Sequence, residues 1–410
     1  MSDRGLEARF GAGNYAPLPV TIVRGDGVYL WDDAGRRYMD MMGAYSAVSF
    51  GHCHPRLVDA LAAQARRLDT ISRAYFNDRL GPFLARACEL TGMDVALPMN
   101  SGAEAVETAL KAARKWAYKV KGVAADRAEI IACEGNFHGR TIAITGFSSV
   151  GQYRDGFGPF APGFKLVPFG DPVALQAAIT PDTAAFLVEP VQGEAGIIVP
   201  PEGYLAEAAR ICRAHNVLLL ADEVQSGLGR TGKLLACEHD GVKPDGLTLG
   251  KALGGGLLPV SMFLARRDVM AVFKPGDHGS TFGGNPIAAA VGLAALDTLI
   301  DEGLVARAAQ TGDHLLRRLR AINNPAIREV RGIGLFAGAE LHPERASASA
   351  VVRRLIDAGV LTKDTHRNTI RFAPPLVISE SEIDWAIDRL VEVLDAVTSP
   401  EPEPIAEPSS

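Results

Sequence analysis

The chain lacks any continuous apolar run of the about 18 residues that a membrane-spanning helix needs, and its start, MSDRGLEARFGAG, lacks the apolar centre of a secretory leader. The cytoplasm is therefore the expected compartment. Basic residues are also in short supply: 42 Lys and Arg stand against 48 Asp and Glu, a net charge of -6. That balance disfavours nucleic acid and anionic membrane surfaces as partners, so any anion must be met by a local site. The five cysteines are scattered without a CxxC pair, which suggests reduced thiols rather than a disulfide framework. Internal repeats are absent. Gly51-His52-Cys53-His54-Pro55 is the one stretch that tempts a metal reading, but ligands so adjacent rarely close a tetrahedral site without distant partners. No metal is expected.

What is present divides the chain into blocks. Residues 1–45 are loop-rich, with short strand signals in VTIVRG and GVYLWD. Residues 46–290 alternate helical patterns with the apolar runs AEIIAC, FKLVPF, AAFLVEP, NVLLLAD, DGLTLG and VSMFLA. Runs apolar on both faces and separated by helices imply a mostly parallel sheet covered on both sides, a large α/β domain. Residues 291–397 hold a long amphipathic helix (AALDTLIDEGLVARAAQTGDHLLRRLRAI), a strand pair around VRGIGLFAGAEL and TIRFAPPL, and a last helix, ESEIDWAIDRLVEVLDAV. They form a small α+β domain. The Pro- and Glu-rich end, 398–410, is expected to be disordered.

Two apolar strands end on chemistry. NVLLLAD runs into Asp222 and Glu223. In parallel α/β sheets ligands gather beyond the carboxyl ends of strands, so these carboxylates stand where a site would be built; capping a turn is the alternative, and each carboxylate can take one role. The glycines that follow, Gly227-x-Gly229-x-x-Gly232, are set too far from the strand for a dinucleotide fingerprint. The second strand, DGLTLG, ends on Lys251. Burial lowers the pKa of such an amine, and a neutral lysine condenses with aldehydes; an ordinary loop lysine is the other reading.

Met99-Asn100-Ser101-Gly102-Ala103-Glu104 opens a helix with apolar spacing at Val106, Leu110, Ala113, Trp116 and Val120, and Ser101 with Glu104 matches a capping box. Its N-terminus suits a phosphate, or is simply well capped. Asn136-Phe137-His138-Gly139-Arg140-Thr141 offers an aromatic face beside a guanidinium, and Gly279-Ser280-Thr281-Phe282 offers hydroxyls in a glycine loop. A phosphate cradle, a ring to stack, an acid for a ring nitrogen and an imine-forming lysine together describe pyridoxal 5'-phosphate.

The ordered set GHCHP, NSGAEAVETALKAARKW, NFHGRT, EPVQGEAG, ADEVQSGLGRTG, LGKALGGG and HGSTFGGNP resembles the class III (fold-type I) aminotransferases over nearly the whole chain. NYAPLPV, AYSAVSFGHCHP, SRAYFND, GFGPFAPGF and IRFAPPL are similar to the ornithine-acting branch of that family. The resemblance implies an α/β fold with a mostly parallel seven-stranded sheet between helices, plus a smaller α+β domain formed by the C-terminal part and the N-terminal segment. It also implies transfer of the δ-amino group of ornithine to 2-oxoglutarate by a ping-pong route, in a homodimer or higher oligomer with shared active sites. The rival readings are another ω-amino donor (N-acetylornithine or 4-aminobutyrate), a racemase or aminomutase using the same cofactor, and a non-enzymatic nucleotide-binding protein.

Residue by residue, the resemblance makes Lys251 the covalent attachment point and proton carrier and Asp222 the partner of the ring nitrogen. Gln225 would meet the phenolic oxygen, Phe137 would stack on the ring with His138 beside it, and Ser101, Gly102 and Ala103 would hold the phosphate. Thr281, with Ser280, would reach the phosphate of the neighbouring subunit. On the substrate side, Arg140 would take the ornithine carboxylate and Tyr15 its α-amino group, while Tyr45 would line the pocket. Glu194 would neutralise Arg371 until 2-oxoglutarate arrives, and would then swing away.

Overall fold

The computed structural model describes residues 3–398. Thr398 closes the last helix, Glu380–Thr398; the rest of the expected tail, 399–410, lies outside the described residues.

One sheet carries seven strands in the order Val95–Met99, Ser261–Ala265, Gly246–Leu249, Leu218–Asp222, Thr183–Val188, Glu129–Cys133 and Phe164–Val167. Six of them are the apolar runs read from the sequence. The remaining one, Val95–Met99, lies at an edge, where the missing N–H of Pro98 is tolerated; a proline in so short a run hides it from a pattern reading. The pairings from Gly246–Leu249 through to Phe164–Val167 are parallel, and Ser261–Ala265 runs against both its neighbours. Ile130, Ala132, Leu218 and Leu220 pack into one core, while Ile131, Cys133, Leu219 and Ala221 pack into another. That two-sided burial is why the strands read as unbroken apolar runs.

The helix Gly102–Trp116 covers one face through Val106, Ala109, Leu110, Ala113 and Trp116. The apolar stripe was expected to continue to Val120, but a π-turn, Ala117–Lys121, leaves Val120 55% exposed. Extra residues per turn rotate side chains off a stripe set by a 3.6-residue period.

The C-terminal part forms a smaller antiparallel sheet ordered Ile327–Ile333, Phe336–Leu341, Thr369–Phe372 and Lys363–Thr365. The N-terminal strands Ile22–Asp26, Tyr29–Asp32 and Arg37–Asp40 form another sheet, which Val360–Leu361 joins in parallel with Arg37–Asp40. The chain's first strands thus pair with its last quarter. The single long helix expected beyond 291 is two, Pro286–Asp301 and Leu304–Arg320, broken where Gly303 takes φ 63°. A left-handed residue ends a right-handed helix, and glycine adopts that conformation without a Cβ clash. The fold class is α/β, a mostly parallel sheet between helices with a smaller antiparallel part.

Two motifs singled out in the sequence prove structural. A Cβ on Gly232 would lie 2.8 Å from Ala309 Cα, so the 227–232 loop rests directly on the helix Leu304–Arg320. Close packing accounts for that glycine. In the GHCHP stretch, His52 Nε2 lies 2.8 Å from Asp40 Oδ2 and His54 Nε2 lies 3.2 Å from Glu302 Oε1; the two rings serve separate carboxylates. No helix of the described residues is long and apolar enough to cross a membrane.

Candidate active site

Every residue of Leu218–Asp222 is buried, and at its end two successive carboxylates part company. Asp222 Oδ2 lies 2.6 Å from His138 Nδ1, while Oδ1 accepts from Thr248 Oγ1 at 2.9 Å and from the Val224 N–H at 3.1 Å. Glu223 turns into a structural knot instead, accepting from Ser226 Oγ at 2.6 Å and from the Cys237 N–H at 2.9 Å. One carboxylate faces the site and its neighbour braces the turn. Burial pushes the His138 ring towards neutrality, but the hydrogen bond and charge of Asp222 outweigh it and raise its pKa. His138 Nε2 has no hydrogen-bond partner among the described residues.

Lys251 follows Gly246–Leu249 and sits at φ 44°. A non-glycine residue in that region is held there by its surroundings at a cost of about 1–2 kcal/mol. Burial brings its amine down to about 8, against the pull of Glu194, Asp222 and Glu189 and with help from Arg371.

At the start of Gly102–Trp116 the expected capping box is formed. Glu104 N–H donates to Ser101 Oγ at 3.2 Å, and Glu104 Oε2 accepts from Ser101 N–H at 2.8 Å. The Ser101 N–H is thereby engaged, and the first-turn N–H groups of Gly102 and Ala103 are those without an intrahelical acceptor. A Cβ on Gly102 would lie 2.8 Å from Val224 Cγ1, so glycine keeps this approach open. Gly102, Ala103, Phe137, Asp222, Gln225 and Lys251 line one cavity, together with His138 and Glu189.

Ser280 and Thr281 do not line that cavity. Ser280 Oγ accepts from Asn100 Nδ2 at 2.8 Å and from Gly283 N–H at 3.1 Å, and Thr281 is exposed.

On the substrate side, Arg371 is 1% exposed and its Nη1 donates to Glu194 Oε1 at 2.8 Å. Thr365 completes the unit: its hydroxyl accepts from Arg371 Nη2 at 3.1 Å and donates to the Glu194 carbonyl at 2.7 Å. Burial pushes the Glu194 carboxyl up, but Arg371, followed by Lys251 and His366, holds it below its ordinary value. The Arg371 guanidinium lies 5.2 Å from the centre of the Tyr45 ring, and Gln225 Nε2 donates to Tyr45 O at 3.4 Å. Arg140 is exposed and lies over two rings, Tyr153 at 4.2 Å and Phe137 at 5.3 Å. Tyr15 is 77% exposed, and the single chain does not bring it to this cluster.

The sequence reading passed over three residues of this neighbourhood. Glu189 is fully buried, accepts from the Phe137 N–H at 2.9 Å, and is pushed by burial up to about 7. Its signal was legible, since it follows the apolar strand Thr183–Val188 just as Asp222 ends its own. Thr248 and Tyr153 carried no comparable signal, because each is defined by a partner far away in the chain.

Residues 10–394 match the family model for class III aminotransferases. The chain belongs to this family. It is 56% identical over 392 residues to the ornithine aminotransferase of Geobacillus sp. strain WCH70, covering 96% of this chain and 98% of that one. A solved ornithine aminotransferase from Toxoplasma gondii, with pyridoxal phosphate at partial occupancy in its active site, is 46% identical with a TM-score of 0.94, over 96% of this chain and 94% of that one. The acetylornithine aminotransferase of Elizabethkingia anophelis is 45% identical with a TM-score of 0.87, over 95% of this chain and 97% of that one.

The cofactor of this class III aminotransferase is pyridoxal 5'-phosphate, and the residues present fit it. The cavity brings together two helix-terminal N–H groups, a buried carboxylate and a lysine with a lowered pKa, and Gly102 lets the helix start pack against Val224 at its wall.

Proposed function

We propose that this enzyme transfers the δ-amino group of L-ornithine to 2-oxoglutarate, giving glutamate 5-semialdehyde, which cyclises to pyrroline-5-carboxylate, and glutamate. The observation that carries the reading is the buried Arg371 closed by Glu194. An α-amino acid approaching Lys251 would need Arg371 for its carboxylate, whereas a δ-amine brings no carboxylate to that end. The closed pair therefore favours ω-amino donors, and the named relatives support ornithine among them.

In this reading the free N–H groups of Gly102 and Ala103 would hold the phosphate, while the Ser101 N–H, expected to join them, is taken by Glu104. Phe137 would lie against the ring, Gln225 would meet its phenolic oxygen, and Asp222, oriented by His138 and Thr248, would keep the ring nitrogen protonated. Bound there, the cofactor supplies an aldehyde for amines and an electron sink. Lys251 Nζ takes the proton from the donor carbon and returns it on the other side of the exchange. Arg140 and Tyr15 hold the α-carboxylate and α-amine of ornithine, and Tyr45 lines the intervening wall. For the dicarboxylic acceptor, Glu194 leaves, Arg371 takes the α-carboxylate and Arg140 the distal one.

The exposed Thr281 supports a homodimer in which it, with Ser280, reaches the neighbour's phosphate. The separate sheets and the pairing of Val360–Leu361 with Arg37–Asp40 support a division into 1–45, 46–290 and 291–397, with the first and third segments joined, although the helix Pro286–Asp301 crosses the last boundary. The rival donor N-acetylornithine draws support from the Elizabethkingia anophelis structure. Pyrroline-5-carboxylate formation from ornithine, with N-acetylornithine and 4-aminobutyrate assayed in parallel, decides between them. Preference for ornithine is expected; preference for another donor overturns the substrate assignments and leaves Lys251 and Asp222 in place.

A further inference from the structure

A gate that opens needs somewhere for its charge to go. The main chain of Glu194 is pinned, since Thr365 Oγ1 holds its carbonyl at 2.7 Å, so only the side chain is free to move. Glu194 borders a cavity of ≈ 440 Å³ together with Tyr153, His366, Arg367, Ser149 and Glu134. It is separate from the cavity lined by Lys251.

His366 directly follows Thr365 in the three-residue turn between Lys363–Thr365 and Thr369–Phe372. That turn is rigidly set. Arg367 and Asn368 take φ 59° and 52°, and the Asn368 amide is locked by donating to Leu341 O at 3.1 Å and Ala346 O at 2.9 Å while accepting from Ala348 N–H at 2.7 Å. His366 Nε2 lies 3.4 Å from Tyr153 Oη, and the two rings meet edge-on at 6.4 Å. Tyr153 also meets the Phe137 ring edge-on at 6.0 Å, and the Arg140 guanidinium lies 4.2 Å from its ring centre. A phenol O–H and an imidazole N–H thus border the same cavity as the gate carboxylate, on a path that ends at the arginine proposed for the distal carboxylate.

We propose that His366 and Tyr153 form the receiving site for the Glu194 carboxylate when it leaves Arg371, and so determine how well the enzyme accepts a dicarboxylic 2-oxo acid. The inference rests on the gate reading above. Both groups donate hydrogen bonds to a carboxylate; Arg367 adds positive charge to the cavity and Glu134 opposes it. Opening Arg371 costs less when the displaced charge is met, and that difference appears in acceptor binding alone.

Glutarate, an unreactive dicarboxylate with the acceptor's span, is the probe, titrated calorimetrically into the holoenzyme. His366→Ala is expected to weaken glutarate binding about tenfold and Tyr153→Phe, which keeps the stack on Arg140, about threefold, the scale of one exposed charge-assisted hydrogen bond. The ornithine half-reaction, followed in single turnovers, is expected to change less than about twofold in either variant. With Glu194→Ala no carboxylate remains to be received, so adding His366→Ala should leave glutarate affinity unchanged. Unaltered glutarate binding in His366→Ala, or an equal loss with Glu194 already removed, overturns the proposal. The donor assignment is read separately, from the ornithine half-reaction of the unmodified enzyme.

Discussion

Two arginines of this chain are almost wholly buried, and they are held in opposite ways. Arg371, 1% exposed, faces a carboxylate, Glu194, which is itself only partly covered. Arg230, 0% exposed, makes no ion pair among the described residues; it donates to the carbonyls of Leu335 and Pro374 and to Ser49 Oγ. Burial brings its guanidinium down to about 9, against the attraction of Asp40. A carbonyl is fixed to the backbone, whereas a glutamate side chain pivots about its own bonds. The first arrangement is a tie between the 227–232 loop and the smaller sheet; the second, in the proposed mechanism, is exchanged for another carboxylate. Burying a charge is costly either way, and on that proposal the mobile partner converts the cost into selectivity.

The contrast is broken most severely at Arg371. Arg371→Ala should slow the 2-oxoglutarate half-reaction by about a thousandfold, the consequence of losing roughly 4 kcal/mol from a buried charged hydrogen-bonded pair. Single-turnover rates should meanwhile change far less for ornithine. Arg230→Met should do the reverse, lowering folding free energy by about 3 kcal/mol because three acceptors lose their donor. Urea unfolding reads that loss, and the donor specificity of the folded fraction should stay as it was; a specificity change without a stability change would erase the distinction between the two arginines. The smallest effect sharpens the comparison. Glu194→Ala leaves Arg371 open, and the ratio of α- to δ-transamination should rise about tenfold, whereas an unchanged ratio would make the pair merely structural.

Legibility in the sequence followed locality. Lys251 and Asp222 stood out because each is the polar end of an apolar strand, a pattern contained within a few residues. The capping box at Ser101 and Glu104 is likewise a four-residue signal, and it formed as expected. Glu189 carried the same strand-end signal and was passed over. The break at Gly303 and the outward turn of Val120 were hidden because amphipathic spacing persists across both. Tyr15 and Thr281, drawn into the site by resemblance, remain exposed in a single chain.

By itself the sequence determined the alternation of buried strands and helices, the capped helix that can meet a phosphate, and the placing of an acid and a lysine at neighbouring strand ends. These depend on side-chain periodicity and capping, which act over one or two turns of chain. Tertiary structure alone decided that His138 would orient Asp222 across 84 residues and that Arg230 would be tied rather than paired, and it formed the pair of Glu194 with Arg371, 177 residues apart, that the family resemblance implied. A hydrogen bond between distant residues exists only once packing has brought two desolvated groups together, and no local pattern encodes which groups those are.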